Sequence, residues 1–315
     1  MSTNSKKLKK STESSAKLKV HPIEPNSFSY KLLQEPRKIY SSPIEWPFEM
    51  LNHIDCDVLP NANNEESTND TNPKSILDST IPWTDFELEI HGALFELSIQ
   101  KIGHDTISRR LFKLLIPKNQ SALKTSYFSI SLYFGSKPVA RISPYLFREL
   151  KTTRAPIFAF IDRTWLFDLR KAAFKNKSRW SRYEIACSMR KLDFDPYIAG
   201  LLISMAQWSF STISDDETKV HVFCTSRNNK SFTQYSATIS RQYIQKWEKP
   251  YKLSSSRLII TQKELFFDQP NAIIQAISEI EKPYIDPSET LVSPQKRKVR
   301  SDIADDLPAF KRVHH

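Results

Sequence analysis

The feature that most constrains the fold is an almost uninterrupted apolar run near the middle of the chain, from Tyr197 to Trp208. Asp195 before this run is a suitable helix N-cap. Pro196 fits the first helical turn, because the N–H that proline lacks has no partner there in any helix. A helix that is apolar on most of its sides has to be buried. We therefore predict a buried helix at the centre of a folded domain.

The segments after this helix alternate between strand-like and helix-like patterns. Apolar residues occupy every second position over 219–225, which is typical of a strand. The other elements predicted in this half are strands at 231–239 and 257–261 and helices at about 240–248 and 271–281. The order helix, strand, strand, helix, strand, helix predicts an α+β or mixed α/β fold, with a single sheet packed against helices.

The segment before the apolar helix has more strand-like patterns. Phe86, Leu88 and Ile90 alternate with acidic residues, and alternation resumes at Phe95 after a Gly, so we predict a β-hairpin that begins the folded part near Trp83. The other elements predicted here are strands at 126–134 and 156–161 and helices at 164–175 and 181–191.

The two ends of the chain are predicted to be disordered. Residues 1–82 are rich in Ser, Asn, Pro and charge without a sustained period, and comprise a basic tail followed by an acidic arm. Prolines at 283 and 287 end regular structure, so 283–315 is predicted to be a second basic tail. The predicted globular domain is therefore 83–282.

Two features interrupt the predicted acidic arm. Trp46 to Leu51 is a short apolar island, which we expect to dock on the protein's own domain rather than on a partner. Residues 45–89 hold eleven acidic residues against a single lysine. Such a block is typical of a solvated linker, and an alternative is that it docks on a basic face of the same chain.

Composition excludes several function classes. Four glycines in the whole chain are too few for a phosphate-binding loop, and three widely separated cysteines argue against a disulfide framework or a CxxC metal site. None of the seven histidines has a metal-binding spacing. No apolar run approaches the 18 or so residues of a membrane span, and no secretory signal is present. We expect an intracellular protein without cofactor or metal.

Four segments carry a resemblance to a known group. They are Asp195-Pro-Tyr-Ile-Ala-Gly-Leu-Leu-Ile-Ser-Met-Ala-Gln207, Lys219-Val-His-Val-Phe-Cys224, Tyr235-Ser-Ala-Thr-Ile239 and Tyr243-Ile-Gln-Lys-Trp-Glu-Lys-Pro250. This chain resembles a widespread family of uncharacterised fungal proteins, which show a PYIAxLLIxxAQ-like helix followed by strands of the VHVF and YxAxI kind. The resemblance implies a shared fold and a fungal source, and it implies no activity and no site residues.

The strongest binding signal is the segment from Arg163 to Lys191. It holds nine Lys or Arg residues against Asp168 and Glu184, with aromatic residues between them. Cations that contact phosphates and aromatic rings that stack on bases are how single strands are commonly held. The alternative is a solvated basic face whose rings turn into the core. The residues predicted to bind nucleic acid or an acidic partner are Arg170, Lys171, Lys175, Lys177, Arg179, Trp180 and Arg182.

A nuclease site is a weaker hypothesis. Glu217-Thr-Lys219 matches the E-x-K motif of the PD-(D/E)xK fold, which holds a divalent metal. Its neighbouring acids, Asp215 and Asp216, fall in a turn rather than on a separate strand, and the next strand offers Gln234 instead of a carboxylate. We find no catalytic signature and predict no catalytic or metal-binding residue.

Basic clusters in the tails resemble nuclear import signals. The C-terminal cluster is Lys296, Arg297, Lys298 and Arg300, and a second cluster lies at 6–10. We therefore expect recognition by an import receptor and a nuclear protein, with some cytoplasmic presence. The function predicted from the sequence is non-enzymatic binding, with nucleic acid as the expected partner. The alternatives are an adaptor for an acidic protein and a degenerate PD-(D/E)xK-like nuclease fold.

Overall fold

The computed structural model describes residues 21–34, 42–59, 85–99, 110–111, 114–115, 123–144, 146–227 and 229–284. The strands are β1 Cys56–Leu59, β2 Leu123–Ser126, β3 Ile130–Phe134, β4 Lys137–Ile142, β5 Leu146–Leu150, β6 Pro156–Ile161, β7 Glu217–Thr225, β8 Ser231–Ser240 and β9 Leu258–Phe266. The helices are α1 Phe28–Gln34, α2 Met50–His53, α3 Asp85–Ile99, α4 Arg163–Ala173, α5 Arg179–Arg190, α6 Pro196–Thr212, α7 Arg241–Glu248 and α8 Pro270–Glu281.

A seven-stranded mixed sheet organises these elements, in the order β1-β9-β8-β7-β6-β5-β2. The pairs β1 with β9 and β6 with β7 are parallel, and the remaining pairs are antiparallel. Strands β3 and β4 form a separate hairpin. From α6 onward the order is helix, strand, strand, helix, strand, helix, so the predicted α+β fold and the order of its C-terminal half are confirmed.

The first face of the sheet packs against α6. Side chains alternate across a strand, so Val220, Val222 and Cys224 of β7 share one face and enter the same core cluster as the helix. Every residue of α6 from Pro196 to Ala206 is buried, which confirms the predicted buried helix. Asp195 also has the predicted N-cap role, because its carboxylate accepts a hydrogen bond from the Tyr197 backbone N–H at 3.0 Å.

The second face of the sheet packs against α3 and α8. Phe223 of β7 points to this side and shares a core with residues of both helices. The β-hairpin predicted around 83–99 is wrong, because 85–99 forms the single helix α3. Its buried residues Ile90, Ala93, Leu94 and Leu97 recur at helical spacing and form one stripe. The alternating pattern noticed in the sequence involved Leu88 and Phe95, which are exposed in the helix.

The predicted start of the domain near Trp83 also needs correction. The segment 42–59 belongs to the folded core: Trp46 has no exposed surface, and β1 extends the sheet beside β9. The prediction that the Trp46 island docks on its own domain is confirmed. This segment lies so close to α6 that a Cβ on Gly200 would be only 2.6 Å from the Pro43 Cβ. The second predicted boundary, at 283, falls within a short 3₁₀ turn at Lys282–Tyr284.

None of the helices in the described residues is long and apolar enough to cross a membrane. A buried ion pair joins the sheet to α8, since Arg148 Nε lies 2.7 Å from a carboxylate oxygen of Glu281. Burial lowers the pKa of Arg148, although the Glu281 carboxylate opposes that shift.

Candidate nucleic-acid interface

The predicted basic segment forms two helices, α4 and α5, that pack against each other. Each begins with a side-chain cap. The Asp162 carboxylate accepts hydrogen bonds from the backbone N–H groups of Thr164 and Trp165, at 2.8 and 2.9 Å. The Ser178 hydroxyl accepts one from the Ser181 N–H at 3.1 Å. Capping residues satisfy N–H groups that the helix itself leaves unpaired, so both helix starts are fixed locally.

Two of the nine cations in the segment face inward. Arg163, Leu166 and Arg170 lie at i, i+3 and i+7 on α4, which places them on its buried side. Arg170 is 2% exposed and pairs with both carboxylate oxygens of Asp195, one of them at 2.6 Å. Its Nε also donates to the Ile44 carbonyl at 3.2 Å. The prediction that Arg170 contacts a partner is therefore corrected: its guanidinium holds α4 to the start of α6.

The outer side of the two helices keeps the remaining predicted residues, and we call it the α4–α5 surface. Its Lys175, Lys177 and Arg179 are exposed, and Lys171 and Arg182 are half-buried. Trp180 is 69% exposed and Tyr183 is 51% exposed. An open groove of about 870 Å³ runs along this surface. Its lining residues are Asp168, Lys171, Ala172, Arg179, Trp180, Arg182 and Tyr183.

The aromatic rings of this surface differ in their availability. Phe167 is covered, because the Lys171 ammonium lies 4.7 Å from its ring centroid and Tyr183 meets it edge-on at 6.0 Å. Trp180 and Tyr183 lie one turn apart on α5, with ring centroids 6.4 Å apart. The faces that remain for stacking on a planar ligand are therefore those of Trp180 and Tyr183.

The charge of the surface is weakly opposed. The Lys171 ammonium lies 2.6 Å from Asp168, but the two side chains are 40% and 62% exposed, so the pair contributes little to stability and opens at low cost. The hydrogen bond with Cys187 is the main cause that raises the pKa of Tyr183 above its ordinary value. The phenol is therefore neutral at physiological pH and does not repel an anion.

Two acidic residues of the acidic block pair with cations elsewhere in the molecule. Asp55 pairs with Lys31 at 2.7 Å and also with Lys246, and Asp57 lies 2.8 Å from Arg257. None of these cations belongs to the α4–α5 surface. The rest of the block, from 60 to 84, lies outside the described residues.

The nuclease hypothesis gains no support from the geometry. Glu217 is exposed at the first position of β7, and the residue opposite it on β8 is Ser240 rather than a carboxylate. Within the described part of the chain, no group of three or more His, Cys, Asp or Glu side chains is arranged to hold a metal ion. The predicted import residues Lys296, Arg297, Lys298 and Arg300 lie outside the described residues.

Comparison of this chain with protein-family models, curated proteins and solved structures finds no match. The class that can be stated is therefore structural: an α+β protein with a seven-stranded mixed sheet. The fungal resemblance stays a prediction, and the function has to be argued from the surface itself.

Proposed function

We propose that this protein binds single-stranded nucleic acid through the α4–α5 surface. The observation that carries the proposal is the outward position of Trp180 and Tyr183 between unburied cations. Lysine and arginine side chains attract the phosphate backbone, and two exposed rings one turn apart offer stacking for unpaired bases. Bases in a duplex are already stacked on each other, so single strands are the favoured form.

The two alternatives differ in what they predict for this surface. A basic face that is only solvated would turn its aromatic rings into the core, whereas Trp180 is 69% exposed. An adaptor for an acidic protein requires the cations and can also use an exposed tryptophan as an anchor. The exposed Trp180 therefore argues against a merely solvated face, and an experiment has to separate nucleic acid from an acidic protein.

The first test measures salt dependence with the full chain and a fluorescein-labelled oligodeoxythymidine by fluorescence anisotropy. For single strands the logarithm of the binding constant falls by about 0.7 per neutralised phosphate for each tenfold rise in salt. Changing Arg179 and Arg182 to Ala should weaken binding and flatten this slope by up to about 1.4. The matched control is Arg141→Ala, since Arg141 is an exposed arginine on β4, away from both helices.

The second test separates stacking from charge. Trp180→Ala should cost about 1–3 kcal/mol of binding free energy and leave the salt slope unchanged, because stacking releases no counterions. Absence of salt-dependent binding at micromolar concentration would contradict the proposal. Binding that depends on the two arginines but not on Trp180 would favour the adaptor, to be followed by recovery of an acidic protein partner.

We also propose that the protein acts in the nucleus, because the cluster Lys296, Arg297, Lys298 and Arg300 has the form that import receptors read. Changing Lys296, Arg297 and Lys298 to Ala should shift a fluorescently tagged chain toward the cytoplasm. The shift should increase when the lysines at 6–10 are neutralised as well. An unchanged distribution of the combined variant would contradict import through these clusters.

A further inference from the structure

A second site is suggested by polar side chains at the centre of the sheet, on the face opposite α4 and α5. Central strands that are covered on both sides are normally apolar on both faces. On the second face, however, α3 and α8 cover only part of β7, β8 and β9. Next to the apolar part lies a cleft of about 390 Å³, walled on one side by α8 and by Tyr284. We call it the β-sheet cleft.

The strand register brings the polar residues of the β-sheet cleft together. His221 on β7 lies opposite Ser236 on β8, and Ser236 lies opposite Thr261 on β9. Gln234, two residues before Ser236, lies opposite Lys263. Because residues two apart share a face, Lys219 joins His221 on the same side. The two lysines therefore stand at diagonal corners of the patch, with Ser236 between them.

The floor of the cleft is a hydrogen-bonded chain of three side chains. Gln234 Nε2 lies 3.3 Å from Ser236 Oγ, and His221 Nδ1 lies 2.7 Å from the same oxygen. Both hydrogen bonds form when the Gln234 amide donates to the Ser236 hydroxyl and that hydroxyl donates to His221 Nδ1. The histidine proton then resides on Nε2, which bonds to no other described residue and is available as a donor.

The protonation of His221 agrees with this arrangement. The side chain is 5% exposed, and burial, with a smaller contribution from the charge of Lys219, lowers its pKa to about 3. The ring is therefore neutral at physiological pH and offers a single N–H. Gln234 Oε1 is buried and has no hydrogen-bond partner among the described residues. An unpaired buried acceptor is costly, so the floor is suited to a ligand that supplies a donor.

The rim of the cleft carries the charge. Lys219 and Lys263 are exposed, and neither forms an ion pair with any described residue. The acidic residue of the rim, Glu279, already accepts a hydrogen bond from Gln275 at 2.9 Å. Two lysine side chains and one imidazole N–H therefore line the cleft, together with the Glu279 carboxylate and the unpaired amide oxygen of Gln234 as acceptors.

We propose that the β-sheet cleft binds a small phosphate monoester with a hydroxyl-bearing body. The phosphate would lie between Lys219, Lys263 and the Nε2–H of His221, and a ligand hydroxyl would donate to Gln234 Oε1. A cavity of about 390 Å³ suits a molecule of this size, since small-molecule sites measure roughly 300–1,000 Å³. Sugar phosphates and nucleotides both belong to this class, because both carry a phosphate on a hydroxylated ring. The proposal does not depend on the nucleic-acid surface.

The test is isothermal titration calorimetry of the full chain with ribose 5-phosphate, inorganic phosphate, ribose and adenosine 5′-monophosphate. Ribose 5-phosphate should bind more tightly than inorganic phosphate, and ribose should not bind. If the nucleotide binds more tightly than the sugar phosphate, its base adds contacts to the Tyr284 wall and a nucleotide is the source. The reverse order identifies a sugar phosphate, and either order agrees with the proposed class.

Variants locate the binding. Lys219→Met and Lys263→Met should each weaken binding of ribose 5-phosphate about tenfold or more, since a hydrogen bond to a charged group contributes about that factor. Gln234→Leu should weaken the binding of ribose 5-phosphate and leave the binding of inorganic phosphate unchanged, because only the sugar offers a hydroxyl to the amide oxygen. The matched control is Lys137→Met, an exposed lysine on β4. Trp180→Ala should also leave this binding unchanged, which separates the cleft from the α4–α5 surface.

Three results would overturn the proposal: no heat with any phosphorylated probe, binding that survives both lysine changes, or equal affinity for inorganic phosphate and ribose 5-phosphate. Equal affinity for the two would mean that the cleft binds an anion without recognising the sugar. Circular dichroism of each variant checks the fold. Both lysines are exposed, so their replacement should leave the spectrum unchanged, and loss of binding then reports on the cleft.

Discussion

The two faces of the central sheet are covered in different ways. The first face meets α6, whose residues from Pro196 to Ala206 are all buried, and is covered further by the segment around Trp46. The second face meets α3 and α8 over part of its area and keeps His221, Ser236 and Gln234 in a cleft beside them. The first face is therefore specialised for stability, and the second face has polar groups that packing alone does not require.

The largest effect should come from placing a charge in the first face. Leu201 is fully buried in α6, and an unpaired buried carboxylate costs several kcal/mol against a total stability of about 5–15 kcal/mol. Leu201→Asp should therefore abolish soluble folded protein. Leu253→Asp is the matched control, since Leu253 is 58% exposed and should tolerate the change. A folded Leu201→Asp protein with an unchanged melting temperature would contradict the assignment of α6 to the core.

The next effect tests whether the segment 42–59 completes the first face. Trp46→Ala should lower the free energy of unfolding by about 3–5 kcal/mol, because it removes a large buried ring and leaves a cavity. Phe48→Ala, two residues away at 47% exposure, should change it far less. Chemical denaturation of both variants measures the difference. Equal effects would mean that this segment is not part of the cooperative core.

Replacing one glycine on each face with alanine compares how tightly the two faces are packed. Gly200→Ala should destabilise the protein by about 1–3 kcal/mol, because the added methyl would lie 2.6 Å from the Pro43 Cβ. Gly92 lies within α3, and a Cβ there would meet nothing within 4 Å. Gly92→Ala should therefore stabilise the protein by up to about 1 kcal/mol through helix propensity. If both variants changed the melting temperature in the same direction, this difference in packing between the two faces would be contradicted.

The effect that is smallest at neutral pH, and that grows as the pH falls, comes from His221 on the second face. Its pKa is lowered to about 3 in the folded chain, from an ordinary value near 6.5, so the unfolded chain binds the extra proton first as pH falls. The contribution of His221 to the free energy of unfolding is fully present above pH 6.5. Below pH 6.5 it decreases by up to about 1.4 kcal/mol per pH unit. His221→Gln should flatten the decrease between pH 6.5 and 4 in denaturant titrations. If stability fell with pH in the same way in the unchanged protein and in His221→Gln, the His221 ring would not titrate as expected.

Many of the individual elements were predicted from their local pattern, but the single strand predicted at 126–134 is wrong, because this stretch contains the end of β2 and the whole of β3, which belong to different sheets. The strands at 156–161 and 231–239 and the helices at 164–175 and 181–191 appear within a few residues of their predicted bounds. The helix α3 was missed because its residues alternate over short stretches while its buried stripe follows the helical period. Strand β1 was missed because its burial comes from β9, about two hundred residues later in the chain.

The two candidate sites also differ in how much of each could be predicted from the sequence. The basic and aromatic character of the α4–α5 surface was visible in the sequence, but the inward position of Arg170 was not. Its buried position depends on Asp195 and on the Ile44 carbonyl, which are distant in sequence. The β-sheet cleft had no sequence signal, because its residues come from three strands and each resembles an ordinary strand residue on its own.

The sequence by itself determined the buried helix α6, its Asp195 cap, the order of the C-terminal elements and the basic composition of 163–191. These properties follow from residue type and local period, which short-range sterics and burial translate directly into structure. The tertiary structure alone decided that Arg170 is a buried ion-pair partner of Asp195, that β1 pairs with β9 and that His221 meets Ser236. Each of those outcomes depends on which surfaces meet after folding, and long-range packing sets that pairing.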